Sequence, residues 1–147
     1  MKQLLFNTGS DWVGLVLRLI ISLVMLPHGG QKLFGWFGGY GYKGTMNFFV
    51  ESMKLPWIIS LTIILLEFFG PFGLMFGFAS RIWAIGLTAI MIGAIYTTNL
   101  KNGFFMNWFG NQMGEGYEYH LLIIGICLAI IINGSGKFSV DGFICKS

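Results

Sequence analysis

Two ionisable residues stand inside long apolar runs, Arg18 within residues 12–26 and Glu67 within residues 57–76. A charge at such a place in a membrane helix is costly, so it faces the bundle interior and is paired or functional. Arg18 lies ten residues before His28, and Glu67 ten residues after Trp57. At a helical rise of about 1.5 Å per residue, both stand about 15 Å from the same face. They are therefore expected to meet near mid-membrane. The pair is then either structural, fixing helix register, or functional, with Glu67 as a proton acceptor tuned by Arg18 below a ligand pocket.

His28 closes the first apolar run and His120 opens the last, so both histidines fall at one face, beside Gln31, Lys32, Tyr117 and Glu118. Tyr117 and His120, three apart, share one side of a helix. A quinone needs an apolar slot, donors for its carbonyls and a proton source or sink, and these side chains supply those types. The expected catalytic set is Glu67, Arg18 and His120. The expected ligand contacts are His28, Gln31, Lys32, Tyr117 and Glu118, between the first and last helices, with Trp36 and Phe37 as a lid. Ordinary interfacial hydrogen bonding explains the same histidines. Haem or a metal is a further alternative, and a four-helix bundle is a haem scaffold. No HxxxH or HxxE spacing occurs, so no metal site is assigned. Residues 35–41 (Gly-Trp-Phe-Gly-Gly-Tyr-Gly) lack the strand–turn–helix setting of a phosphate-binding loop, and interfacial anchoring is their simplest role.

Four apolar segments must position these residues, at about 12–28, 56–77, 81–99 and 118–133. Each reads as a helix, because a helix satisfies its own backbone in lipid. A span needs about 20 residues, so the first and last are a little short by apolar count. Only Gly77-Phe78-Ala79-Ser80 joins the second to the third, whereas the other two connections are long. In the first long one Met46, Phe49, Val50 and Met53 recur at helical spacing, which predicts a short interfacial helix. The expectation is an all-α membrane protein, one domain over residues 1–147, in an up-down-up-down bundle with both long loops on one face. Small residues give candidate packing stripes: Gly70 and Gly73, then Ala89, Gly93 and Thr97, then Gly125, Ala129 and Asn133.

Composition agrees. Hydrophobic residues make up 55% of the 147 and charged residues 10%, against about 25% charged in a soluble domain. A soluble enzyme and a disordered chain are both excluded. Net charge is +3, but the basic residues are scattered, so nucleic acid is not an expected partner. Cys127 and Cys145 form neither a CxxC nor a disulfide framework. Lys2, Arg81, Lys137 and Lys146 on the terminal face balance Lys32, Lys43, Lys54 and Lys101 on the loop face. Charge therefore leaves the orientation open.

Arg18 followed by Pro27-His28-Gly29-Gly30-Gln31-Lys32-Leu33-Phe34-Gly35 resembles the opening signature of the DoxX family. Glu67 with Gly70, Glu118 with His120, and the ending Gly134-Ser135-Gly136-Lys137-Phe138-Ser139-Val140-Asp141 continue the likeness over essentially the whole chain. The resemblance implies a four-helix protein of the bacterial inner membrane, with both termini cytoplasmic, and quinone-coupled redox work with a partner protein. A non-catalytic scaffold for redox or stress enzymes, and a small-molecule or proton transporter that would need to form a homo-oligomer, are the alternatives.

Overall fold

A computed structural model describes Phe6, Thr8, Gly9 and residues 11–146; Lys2 and the side chain of Lys146, both counted in the charge balance, lie outside the described residues. Six α-helices and no strand occur among the described residues: α1 (Trp12–Phe34), α2 (Gly41–Asn47), α3 (Trp57–Phe76), α4 (Ser80–Ala94), α5 (Glu118–Asn133) and α6 (Val140–Lys146).

Asp11 caps α1, its Oδ1 accepting from the Gly14 N–H at 2.8 Å. That bond holds the Asp11 carboxyl below the usual carboxylate range. The Pro27-His28-Gly29-Gly30 run does not end this helix, which continues to Phe34 and stops at Gly35 with φ +78°, the left-handed cap glycine provides. Proline forfeits one intrahelical bond, a loss that membrane helices tolerate. The two glycines are a packing surface. A Cβ on Gly29 would lie 2.6 Å from Phe68 Cα, and one on Gly30 would strike the Trp36 ring. The backbones of α1 and α3 thus approach at Gly29.

The start of α1 meets the end of α3 and the end of α1 meets its middle, so the two are antiparallel. The α3–α4 turn uses Gly77 (φ +64°) and Ala79 (φ +51°). Ala79 offers no capping side chain; the N-terminus of α4 is capped by Asp141, which accepts from Ala79 N–H at 2.7 Å and Ser80 N–H at 3.0 Å. Arg81 Nε donates to Ile131 O at 2.8 Å, which sets the start of α4 against the end of α5. Beyond Ala94 the third long helix continues as a π turn (Ile95–Asn99) and a 3-10 turn (Leu100–Asn102).

Three helices are long and apolar enough to cross a membrane, Trp12–Phe34, Trp57–Phe76 and Ser80–Asn102; α5 is apolar but only 16 residues long. The main core joins Ile21 and Met25 of α1, Leu74 of α3, Leu87 and Met91 of α4, and Ile123, Cys127 and Ile130 of α5. A second cluster packs Met46 and Phe49 against Ile64, with Val50 and Met53 beside them. The short helix read from that spacing is therefore present, as α2 and a π turn (Phe48–Ser52) laid on α3.

Of the small-residue stripes, only the one on α3 packs as expected: a Cβ on Gly73 would overlap the Trp83 ring. Ala89, Gly93 and Thr97 instead stand exposed along a cavity, and a Cβ on Gly125 would meet nothing within 4 Å.

Candidate functional site

The expected Arg18–Glu67 pair does not form. Arg18 is fully buried and spends its guanidinium on backbone carbonyls. Nε donates to Ser135 O at 2.7 Å, Nη1 to Leu74 O and Met75 O, and Nη2 to Lys137 O and Phe138 O. Leu74 and Met75 lie in the last turn of α3, where carbonyls lack intrahelical donors and the helix dipole favours a cation. Asp141, 1% exposed, completes this end of the molecule, accepting from Ser135 Oγ at 2.5 Å as well as from the α4 cap. Equal depth counted along two helices is not equal depth in space, because α1 runs a full turn and a half beyond its expected end.

The partner of Glu67 is Lys32. Glu67 is 3% exposed, and Lys32 Nζ donates to its Oε2 in an ion pair. The geometry follows from the crossing at Gly29. Lys32 stands three residues on, on the same face of α1, so the close approach of the backbones brings its ammonium to the α3 carboxylate. Pro71 stands four residues after Glu67 and has no N–H to return to the Glu67 carbonyl. That carbonyl is the atom a Cβ on Gly29 would strike.

Lys32, Glu67 and His120 border one cavity of about 760 Å³, within the usual range of about 300–1,000 Å³ for ligand pockets. Its other walls come from α3 (Ile58, Ile59, Thr62, Ile63, Leu66), from α4 and its π turn (Gly86, Ala89, Ile90, Gly93, Ala94, Thr97, Thr98, Asn99), and from the segment after α2 (Phe48, Phe49, Met53, Leu55). Both π turns among the described residues border it; such widened turns are frequent at functional sites. The three threonines donate to their own helices, to Ile58 O, Gly93 O and Ala94 O, at 2.7–2.8 Å. The walls are therefore apolar in effect, and charge is concentrated at Lys32 and Glu67. His120 Nδ1 is buried without a hydrogen-bond partner among the described residues. The His28 and Tyr119 rings stand 5.8 Å apart, and Tyr119 and His120 5.7 Å apart.

Of the residues singled out from sequence, Lys32, Glu67 and His120 come together at the cavity, and His28 stands next to them through Tyr119. The others fall elsewhere. Arg18 is at the opposite end of α1. Trp36 stacks on Phe34 and packs against Phe68, while Phe37 is exposed at φ +52°; neither borders the cavity. Gln31 gives its carbonyl to Gly35 N–H. Tyr117 packs edge-on against Phe104 at 5.4 Å. The Glu118 carboxylate accepts from Met106 N–H at 2.8 Å and Trp108 Nε1 at 3.2 Å, so it shapes the loop before α5. The cavity lies between α3 and α4, with Lys32 of α1 and His120 of α5 joining Glu67 of α3 at its polar end, and not between α1 and α5 alone. Sequence reading missed Tyr119 and the π turns. Among the described residues no three His, Cys, Asp or Glu side chains gather as a metal site.

The family model described as DoxX matches residues 13–100. The chain is similar to "Putative oxidoreductase CatD" of Bacillus subtilis, 33% identical over 132 residues that cover 90% of this chain and 87% of that relative. It is similar to "Inner membrane protein YqjF" of Escherichia coli, 28% identical over 138 residues, 90% of this chain and 92% of the relative. An uncharacterised Haemophilus influenzae protein is 27% identical over 140 residues, 94% of this chain and 87% of the relative. No solved structure matches.

Proposed function

The chain belongs to the DoxX family, and from that premise we propose that it is a multi-pass component of a redox system in the bacterial inner membrane, taking a quinone into the cavity beside Lys32, Glu67 and His120. The names of two relatives supply the inner membrane and the redox class. In this reading α5 is the fourth span, the bundle runs up-down-up-down, and both termini are cytoplasmic. The short α5 crosses with its polar first turn at the interface.

The observation that carries the proposal is a buried carboxylate, paired with a partly exposed ammonium, bordering an otherwise apolar cavity. Ionisable groups within membrane helices mark pathways and proton relays. The donor set suits a quinone: an ammonium to hold one carbonyl, a carboxylate able to carry a proton, and an imidazole with an unpartnered nitrogen. A bound quinone supplies the capacity to take up two electrons and two protons. Lys32 pairs with the Glu67 carboxylate, and displacing the ammonium toward a ligand exposes that carboxylate to the ligand as well. His28 stands beyond His120, with the Tyr119 ring between them. The apolar walls exclude water and strengthen each of these interactions. Electrons come from a partner or a substrate oxidised beside the membrane.

The test is purification in mild detergent, followed by organic extraction and mass spectrometry, on the natural protein and on Glu67→Gln and His120→Ala. Recovery of a quinone from the natural protein, with less from both variants, is the expected result. A protein without quinone, whose variants behave as the natural chain does, would favour the scaffold reading. One observation supports that second reading: Trp108, Phe109 and Met113 are strongly exposed in the loop before α5, where a partner could dock.

A further inference from the structure

The cavity has a polar end and an apolar end, and its wall is open on one side. Its carboxylate is at the buried end, Glu67 being 3% exposed, and Lys32 reaches it from a partly exposed position. Ile58 and Ile59 of α3, and Ala89 and Gly93 of α4, border the same cavity while also standing exposed on the outside of the molecule. They belong to two helices long and apolar enough to cross a membrane, so the outside they face is lipid. At Gly93 a Cβ would meet nothing within 4 Å: the gap between α3 and α4 is an opening and not a packed seam. Nearby Gly86, by contrast, is closed off, since a Cβ there would lie 2.6 Å from Leu66 Cδ2.

We infer that the ligand of this cavity is an amphiphile that enters sideways from the bilayer, with a small hydrogen-bonding ring at Lys32, Glu67 and His120 and a linear apolar tail lying along the α3–α4 gap past Gly93. This rests on the quinone reading above and adds the class of quinone, a tailed one, and the route. The volume supports it. About 760 Å³ holds a ring and the first part of a chain, and the open side lets the remainder lie among lipid tails. The polarity supports it too, because the threonines along the gap have already spent their hydroxyls on their own helices and ask nothing of a ligand but apolar contact.

Gly93→Phe tests the gap directly. The ring enters open space, and replacing glycine inside a helix favours the helix, so folding is expected to survive; monodispersity and thermal unfolding in detergent check it. Binding is measured by tryptophan quenching at fixed detergent concentration, with decylubiquinone and with the same dimethoxy-methyl-benzoquinone ring lacking a tail. The natural protein is expected to prefer the tailed probe by about tenfold or more, and Gly93→Phe to abolish that preference while changing affinity for the bare ring by less than about twofold. Gly93→Ala is expected to keep the preference. Equal affinity of the natural protein for the two probes, or a Gly93→Phe variant that still prefers the tail, would overturn the tail path and leave the quinone reading standing. Binding of neither probe to the natural protein would overturn both.

Discussion

A guanidinium has five N–H donors, and Arg18 places all five on carbonyls. Nothing is left for a carboxylate. Hydrogen bonds to a charged group contribute about 1.5–3 kcal/mol each, so Arg18→Gln is expected to destabilise the protein by at least about 3 kcal/mol, read by unfolding in detergent. Arg18→Lys keeps the charge but has three donors in place of a planar fork, and an intermediate loss is expected. Because Arg18 and Glu67 share no partner, Arg18→Gln combined with Glu67→Gln should lose the sum of the single losses to within about 0.5 kcal/mol. A double variant more stable than Arg18→Gln alone would show that the two charges are coupled. The sequence marked both residues as buried charges, correctly, but not their partners. The acceptors of Arg18 are main-chain atoms, which no pattern of side-chain types reveals, and Lys32 reached its partner only because α1 runs past a proline.

At the scale of elements, the α1–α3 crossing decides whether the charge pair exists. Gly29 allows the approach, and Lys32 follows one turn later. Gly29→Leu is expected to force the helices apart, costing about 1–3 kcal/mol as overpacking. Gly125→Ala, in α5 with open space around it, should be neutral or stabilising by up to about 1 kcal/mol. Thermal unfolding of the two variants side by side checks the contrast; equal losses would mean that Gly29 is not a packing contact. Four apolar helices, their short α3–α4 turn and the short helix on α3 were legible from hydropathy and spacing. The end of α1 was not, since Pro-His-Gly-Gly carries the same residues as a helix stop, and only the α3 backbone against Gly29 and the Trp36 ring against Gly30 make those glycines contacts. The stripe Ala89-Gly93-Thr97 misled for a related reason: smallness permits close packing but equally permits a cavity, and sequence does not distinguish a filled gap from an open one.

Across the whole molecule the two ends differ in kind. One is tied shut: Lys137 N–H donates to Asp11 O at 2.9 Å, Gly136 N–H to Thr8 Oγ1 at 2.6 Å, and Asp141 clasps the start of α4. The other carries the long connections. Single cysteines introduced near Lys43 and near Val140, in a chain with Cys127 and Cys145 replaced, should react with impermeant reagents from opposite sides of the membrane. Labelling from the same side would refute the four-span topology. The tied end also bears on synthesis. Ser135, Lys137 and Phe138, which supply three of the five acceptors of Arg18, leave the ribosome more than a hundred residues after it. A chain elongates from its N-terminus at about 5–20 residues per second, so the first helix enters the bilayer seconds before its charge has a home. Until residues 135–138 arrive, three of the five donors of Arg18 lack their acceptors. A chain halted after Gly134 should thus be short-lived in a pulse-chase, and Arg18→Leu in that halted chain should lengthen its life.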